Sequence, residues 1–126
     1  MTIQEEFIVV HKAFLSDHNE LALAVHALSC FEQALKYMEA QHRGAVAEMK
    51  EDGGKLRYSN EAVREAETLL RCEASEGYRE TVSDIRGKKM DIALLRAKCE
   101  ACELMMKFLT AQVSASIPII MQGGRA

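Results

Sequence analysis

The stretch IRGKKMDIALLRAKCEACELMMKFLTAQV, residues 85–113, decides the fold class. Ile85, Ile92, Cys99, Met106 and Val113 fall seven residues apart, and Leu95, Cys102 and Leu109 lie between them. Such alternation is the a/d pattern of a helix that lies along another helix. It predicts an oligomer seam, with a second copy as the partner. The stretch closes a longer segment, residues 60–113, that lacks Pro and has Gly only at Gly77 and Gly87. Drawn as one helix this segment would span about 80 Å at 1.5 Å per residue. It must therefore bend, or its overhang must be covered by the N-terminal region or by a second copy. Each glycine costs about 1 kcal/mol relative to Ala inside a helix, and Ser75 offers a fresh N-cap. A break is expected at Ser75 to Gly77. Before it, Val63, Ala66, Leu69 and Leu70 begin a seam that loses register across Glu73 to Lys89.

Working back along the chain, Thr2 and Glu5 have the spacing of a capping box, so a first helix starts at Ile3. Phe7, Val10, His11 and Phe14 follow at helical spacing. Ser16, Asp17, His18 and Asn19 then form a stop-and-restart signal at which the chain either turns or runs straight on. From Asn19 to about Asp52 a second helix carries Leu21, Leu28, Leu35, His42 and Met49 in one register. Ala24, Phe31, Met38 and Ala45 stand in the other. Gly53 or Gly54 can terminate it in the left-handed conformation. Ser59 and Asn60 offer N-caps to the next helix. So short a connection favours antiparallel neighbours.

The expected fold is all-α: a long antiparallel helical hairpin or coiled coil with a shorter N-terminal helix. Residues 1–113 form a single helical domain, and residues 114–126, with Pro118 near their start, form a tail. In that tail Ile117, Ile119, Ile120 and Met121 are apolar enough to dock. Composition agrees, being rich in strong helix formers with one Pro, no Trp and 6% aromatics. No run reaches the roughly 18 apolar residues of a membrane span, and Met1 to Glu6 does not resemble the start of a signal peptide. A soluble, cytoplasmic protein with reduced thiols and no membrane partner is expected.

The chemistry-bearing residues divide into three groups. Cys99 and Cys102 make a CxxC, but a zinc site needs about four ligands and no second pair completes it. Both lie on the seam, where Cys acts as a small buried hydrophobe. No metal or other cofactor is implied. His42, also on the seam, acts as a polar seat across the interface, while His11, His18 and His26 share no ligand spacing. The third group is a stripe of cations, Arg64, Arg71, Arg79, Arg86, Lys89 and Arg96, with Lys107 beyond. On an unbroken helix these lie within an arc of about 100°. Such a line suits a phosphate backbone, although the chain as a whole carries a net charge of -3. A break at either glycine would destroy the alignment. The plainer alternative pairs these cations with Glu32 and Glu39 beside the other helix's seam. No nucleophile elbow, phosphate loop or HExxH motif is present, so no enzymatic activity is expected.

The run Tyr58-Ser59-Asn60-Glu61-Ala62-Val63-Arg64-Glu65-Ala66, followed by Gly77-Tyr78-Arg79 and Leu94-Leu95-Arg96, supports one resemblance. It is similar to small helical coiled-coil proteins encoded in the replication and recombination regions of tailed bacteriophages. There, a SNEAxR helix start leads after a break into a heptad helix ending in LR and an aromatic. Phe108 lies later than that aromatic. The resemblance covers about half the chain and implies a helical, oligomeric accessory protein, with no functional residue to carry over. Three functions are expected on these grounds. The first is a scaffold or adaptor that self-associates through the seam, the second a nucleic-acid-associated accessory protein using the cationic stripe. The third is a phage-type inhibitor docking on a host or defence protein.

Overall fold

The computed structural model describes the backbone of residues 1–124 and the side chains of residues 1–115. It is all-helical: α1 (Ile3–Glu48), α2 (Glu61–Ala74) and α3 (Glu76–Gly124). Among the described residues there is no strand, only an isolated bridge between Lys50 and Leu56. The chain packs as two compact units, one of residues 1–24 with 90–126 and the other of residues 25–89. No helix among the described residues is long and apolar enough to cross a membrane.

The start of α1 is the expected one, since the Glu5 amide donates to Thr2 Oγ1 at 3.1 Å. The expected shorter N-terminal helix, however, does not exist as a separate element. α1 runs straight through Ser16 to Asn19. Four polar residues cost only tenths of a kcal/mol each in a helix interior, and neither Gly nor Pro occurs before Gly44. Phe14 and His18 also stack across the cluster at 5.6 Å, one turn apart, and Asp17 takes a half-buried seat.

α1 ends four residues earlier than the glycines suggest. Gly54 does adopt the left-handed conformation, φ 81°, but in a turn rather than as a helix cap. Its amide donates to Glu51 O at 2.9 Å, Glu51 N to Lys55 O at 2.8 Å, and Arg57 N to Met49 O at 2.8 Å. α2 begins at the cap Asn60, whose Oδ1 accepts from the amides of Ala62 (2.9 Å) and Val63 (3.4 Å).

The break between α2 and α3 falls at Ser75. Its extended backbone (φ -78°, ψ 122°) closes α2 by donating to the carbonyls of Arg71 and Cys72. Its own oxygens then open α3: the carbonyl accepts from Arg79 N at 3.1 Å and Oγ from Tyr78 N at 3.4 Å. One residue thus serves as the end of one helix and the cap of the next. From there α3 passes through Gly77 and Gly87 without interruption, and its helical assignment continues through Pro118 to Gly124. A proline removes one helical hydrogen bond without obliging the chain to stop. The side chains proposed to dock from the tail lie outside the described residues.

A Cβ at Gly87 would meet nothing within 4 Å. Gly87→Ala should therefore raise stability by about 0.5–1 kcal/mol. Gly54→Ala, forced to a positive φ, should lower it by about 1 kcal/mol. Urea titrations followed by circular dichroism would measure both, and equal signs would contradict these backbone assignments.

Candidate functional site

Heptad positions on α1 and α3 decide which surfaces remain for function. In the unit of residues 25–89, Thr81 and Ile85 are buried and Tyr78 and Lys88 half-buried. They face α1: the Tyr78 hydroxyl donates to Glu39 Oε1 at 3.0 Å, and Thr81 Oγ1 lies 4.0 Å from Met38 Sδ. In the unit of residues 1–24 and 90–126, Ile92, Cys99 and Leu109 are buried. Leu95, Cys102, Met106 and Val113 there are half-buried. Phe7 lines a groove with Met106 and Thr110, and Asp17 is close enough to raise the Cys99 thiol.

The eight seam residues expected to form an oligomer interface are buried or half-buried within the single chain, Ile85 in the unit of residues 25–89 and the others in the unit of residues 1–24 and 90–126. The register, expected to lapse across Glu73 to Lys89, does not do so. Tyr78, Thr81 and Lys88 occupy seats of the same heptad as Ile85 and Ile92, and go unseen by a search for aliphatic residues. On α1 the column also reaches further, since Phe7, Val10, Phe14 and Asp17 fill half-buried seats. At its other end Val46, fully buried, replaces the expected Ala45, which is exposed. The shift occurs where α1 also meets α2, as shown by the pair Arg43 Nε–Glu65 Oε1 at 3.0 Å.

α2 is turned opposite to expectation. Its buried residues are Thr68 and Cys72, while Val63, Leu69 and Leu70 are exposed. Thr68 satisfies its hydroxyl on Arg64 O at 2.8 Å. Arg64 donates to Tyr58 O at 3.4 Å, and Arg71 to Glu67 at 3.2 Å and Met49 Sδ at 2.8 Å. The anchoring face therefore holds the two arginines expected at the head of the cationic stripe.

The stripe itself is interrupted. Arg64 and Arg71 are half-buried on α2, whereas Arg79, Arg86, Lys89 and Arg96 are exposed on α3 beyond the Ser75 break. Arg71 pairs with Glu67 one turn before it in α2, and Arg43, outside the stripe, pairs with Glu65. Arg79 and Arg86 border a cleft of about 490 Å³ with Leu69 and Glu73 of α2 and Tyr78 and Val82 of α3.

Of the CxxC thiols, Cys99 is buried and Cys102 half-buried. Burial pushes the Cys99 thiol up, and Asp17, Cys102 and Glu103 push it the same way. Cys72 is raised first by burial and then by Glu39, with Arg43 opposing. Tyr78 is likewise raised by burial and by its bond to Glu39. A raised thiol pKa disfavours the nucleophilic, metal-binding thiolate. No group of three or more His, Cys, Asp or Glu side chains converges to hold a metal among the described residues. His42 is a half-buried seat on the α1 column.

α3 carries a second apolar arrangement outside the expected seam. Met90, Leu94, Leu104, Met105 and Phe108 are all exposed. With Ala97 and Ala101, Met90, Leu94, Leu104 and Phe108 follow their own four–three alternation. At 100° per residue this second stripe lies about 160° around the helix from the buried seam. The signal is present in the sequence but sits beside a stronger one. The chain matches no family model, curated protein or solved structure.

Because Cys72, Cys99 and Tyr78 bind their protons more tightly when folded, stability should be complete below the ordinary thiol pKa of about 9. It should fall as pH rises through that value toward the folded-state pKa values. Urea midpoints between pH 7 and 10.5 test this. Cys72→Ala with Cys99→Ala should flatten the decline, and an unchanged slope in that variant would refute the assignment.

Proposed function

We propose that this chain is a non-enzymatic helical interaction protein, a scaffold or adaptor that self-associates. The observation that carries this reading is the second apolar stripe. Met90, Leu94, Leu104 and Phe108 keep 57–68% of their surface exposed, at the spacing a partner helix reads. Contiguous apolar surface of this kind marks interaction sites on soluble proteins. The body presenting it is an antiparallel pairing of α1 with α3. In support, residue numbers fall along α1 as they rise along α3 within each unit: Glu39 meets Tyr78 and Met38 meets Thr81. In the other unit Asp17 acts on Cys99, and Phe7 lies by Met106 and Thr110.

Sedimentation equilibrium of the full chain tests the assembly. A dimer or larger species is expected at about 50 μM, as for modest interfaces of micromolar affinity. A clean monomer at that concentration would overturn self-association.

A second reading, association with nucleic acid, is favoured by the exposed cations Arg79, Arg86, Lys89 and Arg96 on α3. It agrees with the resemblance of residues 58–66 to accessory proteins of phage DNA metabolism. On this reading single-stranded or duplex DNA binds at low salt. The affinity then falls steeply with salt and by about tenfold or more in the Arg79→Glu, Arg86→Glu, Arg96→Glu variant. No retardation of either DNA at 20 mM salt would remove this reading.

A further inference from the structure

We propose that the outer stripe of α3 pairs with the same stripe of a second copy, parallel and in register. This rests on the self-association reading above and names its surface and geometry. The covering occupant is inferred from three features of the stripe.

The first is spacing. Met90, Leu94, Ala97, Ala101, Leu104 and Phe108 give six successive core layers of a two-stranded coil. Ala97 and Ala101 at the centre let two backbones approach closely, and the larger side chains at either end close the seam against water.

The second is area. Five large side chains, Met90, Leu94, Leu104, Met105 and Phe108, are 47–68% exposed. At roughly 100 Å² each, two copies would bury about 1,000 Å², which reaches the lower bound for a specific interface. Ala97, Ala101 and the flanking stems add to it.

The third is charge, which also sets direction. Flanking the stripe on one side are Arg86, Ala93, Glu100 and Lys107; on the other are Asp91, Lys98, Met105 and Gln112. In a parallel, in-register pair each residue of the first row faces the residue five further on in the partner. Arg86 then faces Asp91, Ala93 faces Lys98, Glu100 faces Met105 and Lys107 faces Gln112. That is one attractive pair, made twice by symmetry, and no repulsive one. An antiparallel pair that aligns Met90 with Phe108 would instead bring Lys98 near Lys98 and Glu100 near Glu100 of the other copy. Like charges so placed oppose that arrangement.

The test uses the full chain. Leu94→Glu with Leu104→Glu should raise the dimer dissociation constant at least ~100-fold in sedimentation. Because both positions are exposed, its helical circular dichroism should be unchanged. Met90→Cys, in a chain also carrying Cys30→Ser, should form a disulfide-linked dimer under oxidised glutathione. In an antiparallel pair two Met90 positions stand about 27 Å apart and cannot link. Cross-linking instead between a Met90→Cys chain and a Phe108→Cys chain would overturn the parallel register. A wild-type dimer that survives the double Glu substitution would overturn the stripe and leave self-association standing. A wild-type monomer would overturn both, leaving the stripe to a different partner.

Discussion

The packing of α1 against α3 within each of the two units is the constraint on which the rest of the structure depends. A helix pair offers each partner one buried column, so most of the circumference of a helix as long as α3 meets water. Along that column the deeply buried side chains are few, and several are small: Ala24, Cys99 and Thr81 stand among Ile85, Ile92 and Leu109. Such a column stabilises by repetition rather than by bulk, since each buried side chain contributes only about 1.5–3 kcal/mol. Loss of register would be costly everywhere at once. The polar seats therefore carry weight beyond their own energies: Tyr78 donating to Glu39 and Thr81 beside Met38.

α2 extends this logic to the end of α1. It anchors with Thr68 and Cys72 and with two half-buried arginines, and it leaves its most apolar residues outside. Val46, fully buried between Arg43 and Met49, both of which meet α2, shows how the α1 column adapts: the seat moves one residue, from Ala45 to Val46. Ser75 then allows the chain to change axis without a loop. Its extended backbone ends one ladder while its two oxygens begin another.

Much of this was legible in the sequence because periodic apolar residues and capping oxygens report directly on helices. The a/d column from Ile85 to Val113, the cap at Asn60 and the break at Ser75 were all readable from spacing and residue type. The rest was hidden for identifiable reasons. Tyr78, Thr81 and Lys88 belong to the seam but contribute through a hydroxyl, a methyl or an alkyl stem. The merger of the N-terminal helix with α1 turned on the small helical cost of Ser16 to Asn19, which a capping signal overstates. The facing of α2 could not be read at all, because Val63, Leu69 and Leu70 form the better apolar face and yet Thr68 and Cys72 are the ones buried. A tertiary choice overrode the local pattern there.

The two columns on α3 differ in composition. The buried one is rich in polar and small seats, among them Tyr78, whose hydroxyl donates to Glu39, and Thr81 beside Met38. The outer one has no polar residue at any of its six seats from Met90 to Phe108. Apolar seats alone pack against many surfaces and specify none. In the proposed pairing, discrimination comes from the flanks, where the order Arg86, Asp91, Lys98, Glu100 distinguishes one direction from the other. Affinity from such a stripe depends on concentration whereas the inner seam does not. The inner column is buried within the chain and the outer stripe is left on its surface.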